Sequence, residues 1–138
     1  MTKILLPNDG SEASMRALEQ VLQRGIAGLE LHLLNIQLPV DGNVRSFVNT
    51  EELNAYHLEE GLAELAAARA RLDAAGLAYQ QHVLVGHPAD MIRRFAAENG
   101  FDEIVMGSHG RTGLLQLLMG SVATEVSQKA KTKVTLVR

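Results

Sequence analysis

Ile4-Leu5-Leu6-Pro7-Asn8-Asp9-Gly10-Ser11-Glu12 sets an aliphatic strand, a turn and a helix start end to end. Ile4 to Pro7 has no polar alternation, as expected of a strand covered on both faces. Ser11 is a residue type that caps helix N-termini. The segment after it places Met15, Leu18 and Leu22 on one face before Gly25 stops it. The same alternation continues along the chain, with strands expected at Leu29 to Gln37, Tyr79 to Val85, Asp102 to Gly107 and Lys133 to Val137. Between them the spacing predicts a long helix from about Thr50 to Ala75, with Leu58, Leu62, Leu65 and Leu72 inward and Gly76 closing it. A further helix starts at Pro88, carries Met91, Ile92 and Phe95 inward and ends at Gly100. The last runs from Ser121 to Lys131 with Val122, Val126 and Ala130 on one side. The order β-α-β-α-β-α-β-α-β predicts parallel strands joined by right-handed crossovers, hence a doubly wound, Rossmann-like α/β sheet with helices on both faces.

The chain has 138 residues, the size of one domain with a real core, and no composition shift divides residues 1–138. Leu38 to Asn49 lacks periodicity and holds Pro39, Asp41, Gly42, Asn43 and Asn49, so it reads as a mobile connection. The apolar share of 46 % and charged share of 21 % exclude overall disorder. Aromatic residues make up 4 % and the net charge is −3, which argues against a general nucleic-acid surface. There is no cysteine, so no thiolate chemistry arises and a reducing compartment suits the chain. The opening apolar run is too short for a signal peptide, and no segment approaches the roughly 18 apolar residues of a membrane span. A cytoplasmic location without membrane insertion is expected.

In a sheet of this kind ligands bind outside the carboxyl ends of the strands. The loops so placed are Pro7-Asn8-Asp9-Gly10-Ser11, the end of the second strand at Ile36-Gln37, Gly86-His87-Pro88, and Gly107-Ser108-His109-Gly110-Arg111-Thr112-Gly113. Glycine in the last loop lets backbone N–H groups approach an anion. Gly120-Ser121 opens the following helix, whose N-terminus favours phosphate. A plain turn with Ser121 as a cap accounts for the same residues. The spacing is neither a Walker loop nor GxGxxG. The histidines, His32, His57, His82, His87 and His109, have no zinc-site spacing. Ser108 directly follows Gly107, so no Gly-x-Ser-x-Gly elbow supports a hydrolytic triad with His109 and Asp9.

Gly107-x2-Gly110-x9-Gly120-Ser121 resembles the glycine signature of the ATP-binding branch of the universal stress protein family. The resemblance extends to the Asp9-Gly10-Ser11 turn after the first strand, to Gly86-His87-Pro88 and to Val105-Met106-Gly107-Ser108-His109-Gly110-Arg111. It therefore covers nearly the whole chain. It implies a five-stranded parallel sheet in the order 3-2-1-4-5 and a homodimer joined through the last strand, Lys133 to Val137. Asn8 departs from the small or apolar residue usual in the family, and Lys133 from its frequent proline.

The resemblance further implies ATP, with Mg²⁺ held mainly by phosphate oxygens and water. Pro7 ends the strand beneath the site, Asp9 bonds the ribose, and the backbone of Ile36 reads the adenine edge. Gly107, Gly110, Gly120 and the N–H groups of Ser121 and Val122 hold phosphates, with Met106, Ser108 and Thr112 lining the loop. Asp9 could equally close an Asx-turn, Ile36 could be core, and Arg111 could pair with the terminal phosphates or sit in solvent. His109 orients the loop or touches phosphate. Substituting Gly107 or Gly120 by alanine is expected to abolish nucleotide binding and leave the fold intact. The function this favours is a nucleotide-responsive regulatory dimer with slow or no hydrolysis, passing its state to an unknown protein partner. An ATP or nucleotide hydrolase using Asp9 or His109 as base is the enzymatic alternative, and a partner-binding module without nucleotide is the third. Leu38 to Asn49 and the surface of the second helix are candidate partner contacts.

Overall fold

In the computed structural model, which describes residues 1–40, 49–108 and 120–138, the order of elements is β1 (Thr2–Pro7), α1 (Glu12–Gln23), β2 (Leu29–Gln37), α2 (Thr50–Glu64), α3 (Ala66–Ala74), β3 (Tyr79–Val85), α4 (Pro88–Glu98), β4 (Glu103–Gly107), α5 (Ser121–Lys129) and β5 (Lys133–Val137). Most of Leu38 to Asn49, and the loop residues His109, Gly110, Arg111, Thr112 and Gly113, lie outside the described residues. All strand pairs are parallel, and the sheet order is β3-β2-β1-β4-β5. This is the order the family resemblance implied. Among the described residues no helix is long and apolar enough to cross a membrane.

Each strand alternates its side chains between two cores. Ile4, Leu6, Leu31 and Leu33 face one side and pack with Ala17, Leu18 and Val21 of α1 and with Leu65, Ala68 and Leu72. Leu5, Leu34, Ile104 and Met106 face the other and pack with Ile92 and Ala96 of α4 and Val126 of α5. Burial on both faces is why β1 and β4 read as unbroken aliphatic runs. β3 is an edge strand, and its exposed Gln80 and Gln81 reflect that position. Pro7 fits the end of β1 because the pairing of β1 with β4 stops at Leu5 opposite Ile104, so its missing N–H removes no ladder bond there.

The single helix expected from Thr50 to Ala75 is two helices that meet at Leu65. Its inward face also differs from the expected leucine stripe. His57, Gly61, Leu65, Ala68 and Leu72 are buried, whereas Leu58 is 52 % exposed. The reason is close approach at Gly61, where a Cβ would lie 2.5 Å from Val83 Cγ1. That contact turns α2 so that Leu62 is half-buried and Leu58 points outward.

A buried ion pair ties the far end of the molecule. Glu103 accepts hydrogen bonds from Arg24 Nη1 at 2.9 Å and Nη2 at 3.2 Å, and from Thr135 Oγ1 at 2.5 Å. It thereby joins the end of α1, β4 and β5.

Candidate functional site

β1 lies beside β2 on one edge and β4 on the other, so the connections leave it in opposite directions and open a crevice at the carboxyl ends of β1 and β4. The turn after β1 is built by its own side chains. Asn8 Oδ1 accepts the Gly10 N–H at 2.8 Å. Asp9 Oδ1 accepts the Ser11 N–H at 3.0 Å and the Ser14 hydroxyl at 2.9 Å. Ser11 caps α1 through the Ser14 N–H at 3.2 Å. Asp9 thus closes an Asx-turn and is locked against α1, half-buried at the mouth of the crevice. Gly10 adopts φ 83°, which a side chain would strain.

The first turn of α1 reaches β4. A Cβ at Gly107 would lie 2.6 Å from the carbonyl carbon of Ala13 and 2.8 Å from its oxygen and its Cβ. Gly107 thus packs closely on α1, so alanine here is expected to destabilise the fold rather than act on nucleotide binding alone. The adjacent Ser108 is buried and donates its N–H to the Val137 carbonyl at 2.8 Å. Its own carbonyl accepts the Gly120 N–H at 2.6 Å. The two halves of the glycine signature therefore meet, although eleven residues, 109–119, separate them in the chain. Gly120 is the N-cap of α5 at φ −60° and ψ 150°, and it has no side chain to make a capping hydrogen bond. Ser121 is exposed at the start of α5, and Val122 is half-buried against the core.

The structure joins Ser108 to Gly120, with Ser121 and Val122 following in α5, and sets Gly107 against Ala13, next to the Ser14 that holds Asp9, with Pro7 at the end of β1. Ile36 stands on the neighbouring strand near its end, half-buried, with its side chain against the second core. Met106 is 6 % exposed, and its side chain belongs to the same core, so only its backbone can face the crevice. His109, Gly110, Arg111 and Thr112 are outside the described residues. His87, the N-cap of α4, pairs with Glu125 of α5 at 3.1 Å and links the loop after β3 to the helix of the crevice.

Residues absent from the sequence-based set sit directly behind Asp9. Ser14 holds its carboxylate. Asn35, 1 % exposed, donates Nδ2 to the Asn8 carbonyl at 3.0 Å and to Glu64 Oε1 at 2.9 Å, and accepts from Gln37 Nε2 at 2.8 Å. The signal for Asn35 was available as a polar interruption of the aliphatic Leu29 to Ile36 strand. Nothing in the sequence indicated its partners.

What the crevice offers is chemically coherent. Backbone N–H groups and the positive end of a helix dipole face one side, and a carboxylate with a hydroxyl-rich turn stands on the other. This defines a doubly wound α/β protein whose strand order switches direction between β1 and β4. Residues 1–138 match the model of the Universal stress protein family, and the chain belongs to that family. It is 31 % identical to Universal stress protein MJ0531 of Methanocaldococcus jannaschii, over 99 % of this chain and 81 % of that protein. It is 30 % identical to Universal stress protein MJ0577 of the same organism, over 99 % of this chain and 94 % of that one. The solved structure of MJ0577 superposes with a TM-score of 0.84 at 32 % identity, covering 99 % of this chain and 94 % of that chain. A universal stress protein solved in complex with cAMP superposes with a TM-score of 0.74 at 26 % identity, covering 99 % and 97 % of the two chains.

Proposed function

We propose that this chain, as a single domain over residues 1–138, binds ATP with Mg²⁺ in the β1/β4 crevice. It acts as a homodimeric, nucleotide-responsive regulator that hydrolyses the nucleotide slowly or not at all. The observation that carries this reading is the closure of the signature by the Gly120 N–H on the Ser108 carbonyl, which sets the start of α5 at the end of β4, where Gly107 meets the first turn of α1. On this reading Gly107, Ser108, Gly120 and the N–H groups of Ser121 and Val122 surround the phosphates, together with His109, Gly110, Arg111 and Thr112 of the loop. Asp9 takes the ribose and the Ile36 backbone takes the base edge, with Pro7 and Met106 beneath. A family relative that binds cAMP supports an adenine nucleotide as the ligand class.

Among the described residues no group of three histidine, aspartate or glutamate side chains could hold a metal, so Mg²⁺ would be carried by phosphate oxygens and water. Slow hydrolysis is supported by the commitment of Asp9 Oδ1 to Ser11 and Ser14, which makes it a structural acceptor rather than a base poised on water. β5 ends the sheet and pairs with β4 on one side, so Val134 and Leu136 lie on an edge that a second copy would cover. A cytoplasmic setting suits the cysteine-free chain.

Thermal unfolding of the purified chain with MgATP, MgGTP or cAMP tests the proposal. Ligand at about 100 times its Kd adds about 2.7 kcal/mol. With an unfolding entropy of about 2.1 cal/mol/K per residue, that is a rise of about 9 °C for a chain of 138 residues. No rise with any nucleotide refutes the proposal, and a rise with cAMP alone reassigns the ligand. Single-turnover assay with labelled ATP refutes the regulatory reading if product forms faster than about 1 s⁻¹.

A further inference from the structure

Asn35 is out of place for its position. It stands on the same face of β2 as Leu31 and Leu33, both fully buried, and is itself 1 % exposed. Burying an amide is unfavourable unless its groups are paired, and here each is. The orientation of the amide follows from its partners. The Asn8 carbonyl and the Glu64 carboxylate only accept, so both face Nδ2, and Oδ1 is left for the amide of Gln37.

Each partner belongs to a different part of the fold. The Asn8 carbonyl directly follows β1 and precedes Asp9, Gln37 ends β2, and Glu64 is the last residue of α2. Glu64 reaches Asn35 because α2 approaches the sheet at Gly61, where a Cβ would stand 3.1 Å from Asn35 Oδ1 and 2.5 and 2.8 Å from the two γ carbons of Val83. The peptide that Asn35 grips already donates its Asn8 N–H to the Leu34 carbonyl at 2.9 Å. Both backbone groups of Asn8 are thus fixed to β2, and its side chain is fixed to Gly10. The residue so anchored is the one from which Asp9 projects.

We propose that Asn35, held by Glu64, is a positioning residue that sets the Asp9 turn and thereby the affinity for the ribose end of the nucleotide. This deepens the nucleotide reading above and rests on it. Asn35 touches no ligand, so its effect passes through Asp9, and α2 is mechanically joined to the crevice by way of Glu64.

A double-mutant cycle on ATP affinity tests this by calorimetry, with the full chain and MgATP. Asn35→Ala is expected to weaken binding about tenfold, the scale of one hydrogen bond to a charged group. It should also draw the ratio of ATP to 2′-deoxy-ATP affinity toward one. In the Asp9→Ala background the same substitution should change affinity by less than about twofold. An equal tenfold loss in both backgrounds, or an unchanged ribose preference, overturns the proposal. If Asn35→Ala fails to fold by circular dichroism, Glu64→Ala replaces it in the cycle, with about a threefold loss expected only where Asp9 is present. Failure of the unaltered chain to bind MgATP refutes the nucleotide reading itself and removes the proposal with it. Binding by the unaltered chain with an additive cycle refutes the proposal alone.

Discussion

Gly107→Ala separates two reasons for a glycine at the start of the signature loop. If Gly107 is there for phosphate, alanine should remove nucleotide binding from a normally stable protein. If it is there for α1, alanine should damage the fold in the absence of any ligand. The added Cβ would meet the carbonyl carbon of Ala13 at 2.6 Å and its oxygen at 2.8 Å. These are backbone atoms in the first turn of a helix whose N-cap is already fixed by Ser11, so no side-chain rotation relieves the contact. Overpacking of this kind costs about 1–3 kcal/mol, and the rigid partner places the expected value near the upper end. With an unfolding entropy of about 2.1 cal/mol/K per residue and 138 residues, a loss of about 3 kcal/mol lowers the melting temperature by about 10 °C. Calorimetric melting of the nucleotide-free protein is the assay. Ala13→Gly in the same chain removes the Cβ that lies 2.8 Å away but not the backbone contacts, so it should restore only part of the loss. A melting temperature within about 2 °C of the unaltered protein would refute the packing argument.

Other perturbations probe the remaining supports. Burial raises the Glu103 carboxyl, but the hydrogen bonds from Arg24 and Thr135 outweigh it and hold the group below its ordinary value of 4.5. A depressed carboxyl contributes stability above its unfolded pKa and loses it as pH falls through the folded value. Glu103→Gln should therefore destabilise by about 1–2 kcal/mol at pH 7, modest because Arg24 is partly solvated. In acid denaturation series that gap should close below about pH 4; a gap constant from pH 7 to 3 contradicts the assignment. His82 is pushed down by desolvation, by His32, whose Nδ1 lies 2.9 Å from its Nε2, and by Lys3. The folded state thus resists its protonation, so stability should fall as pH drops below its ordinary value of 6.5, and His82→Gln should flatten that part of the profile. Identical slopes in both proteins would exclude it. Gly120 has an ordinary extended conformation, so Gly120→Asp should change stability by only a few tenths of a kcal/mol while the carboxylate caps α5 and repels phosphate. Equal ATP affinity in the variant would remove the phosphates from that helix start.

The sheet was legible because a strand buried on both faces needs an aliphatic run, unbroken in β1 and β4 and dominant in β2. The face of α2 was not legible. Leu58 and Leu62 fit a helical stripe as well as His57 and Gly61 do, and only the sheet surface at Val83 and Asn35 shows which side bears a missing Cβ. The glycine signature was visible as spacing, yet spacing cannot distinguish a glycine that admits a phosphate from one that admits a helix. Gly107 and Ala13 meet only because β1 and β4 are neighbours in the sheet. The same limit hid the polar supports, since Asn35 finds Asn8 and Glu64 at separations of 27 and 29 residues, and Arg24 finds Glu103 at 79. Such pairs follow from sheet order, so they become readable once the order is known.

The capping pattern gives the crevice its polarity. α1 is capped by the Ser11 side chain and α2 by that of Asn49, which accepts the Glu52 N–H at 2.7 Å. α4 has no side-chain cap, but Pro88 at its start removes one N–H that would need a partner. α3 and α5 have no side-chain cap bond from the N-cap residue and no proline at the start, and of these two α5 begins beside the end of β4. On the proposed reading, backbone donors at that start would serve the phosphates together with Arg111 of the loop. A phosphate site built mainly on backbone donors is compatible with the net charge of −3. The opposite end of the crevice depends on side chains, through Asp9, Ser14, Asn8 and Asn35. Substitutions at the phosphate end should therefore act on all nucleotides alike, whereas those behind Asp9 should change which sugar is preferred.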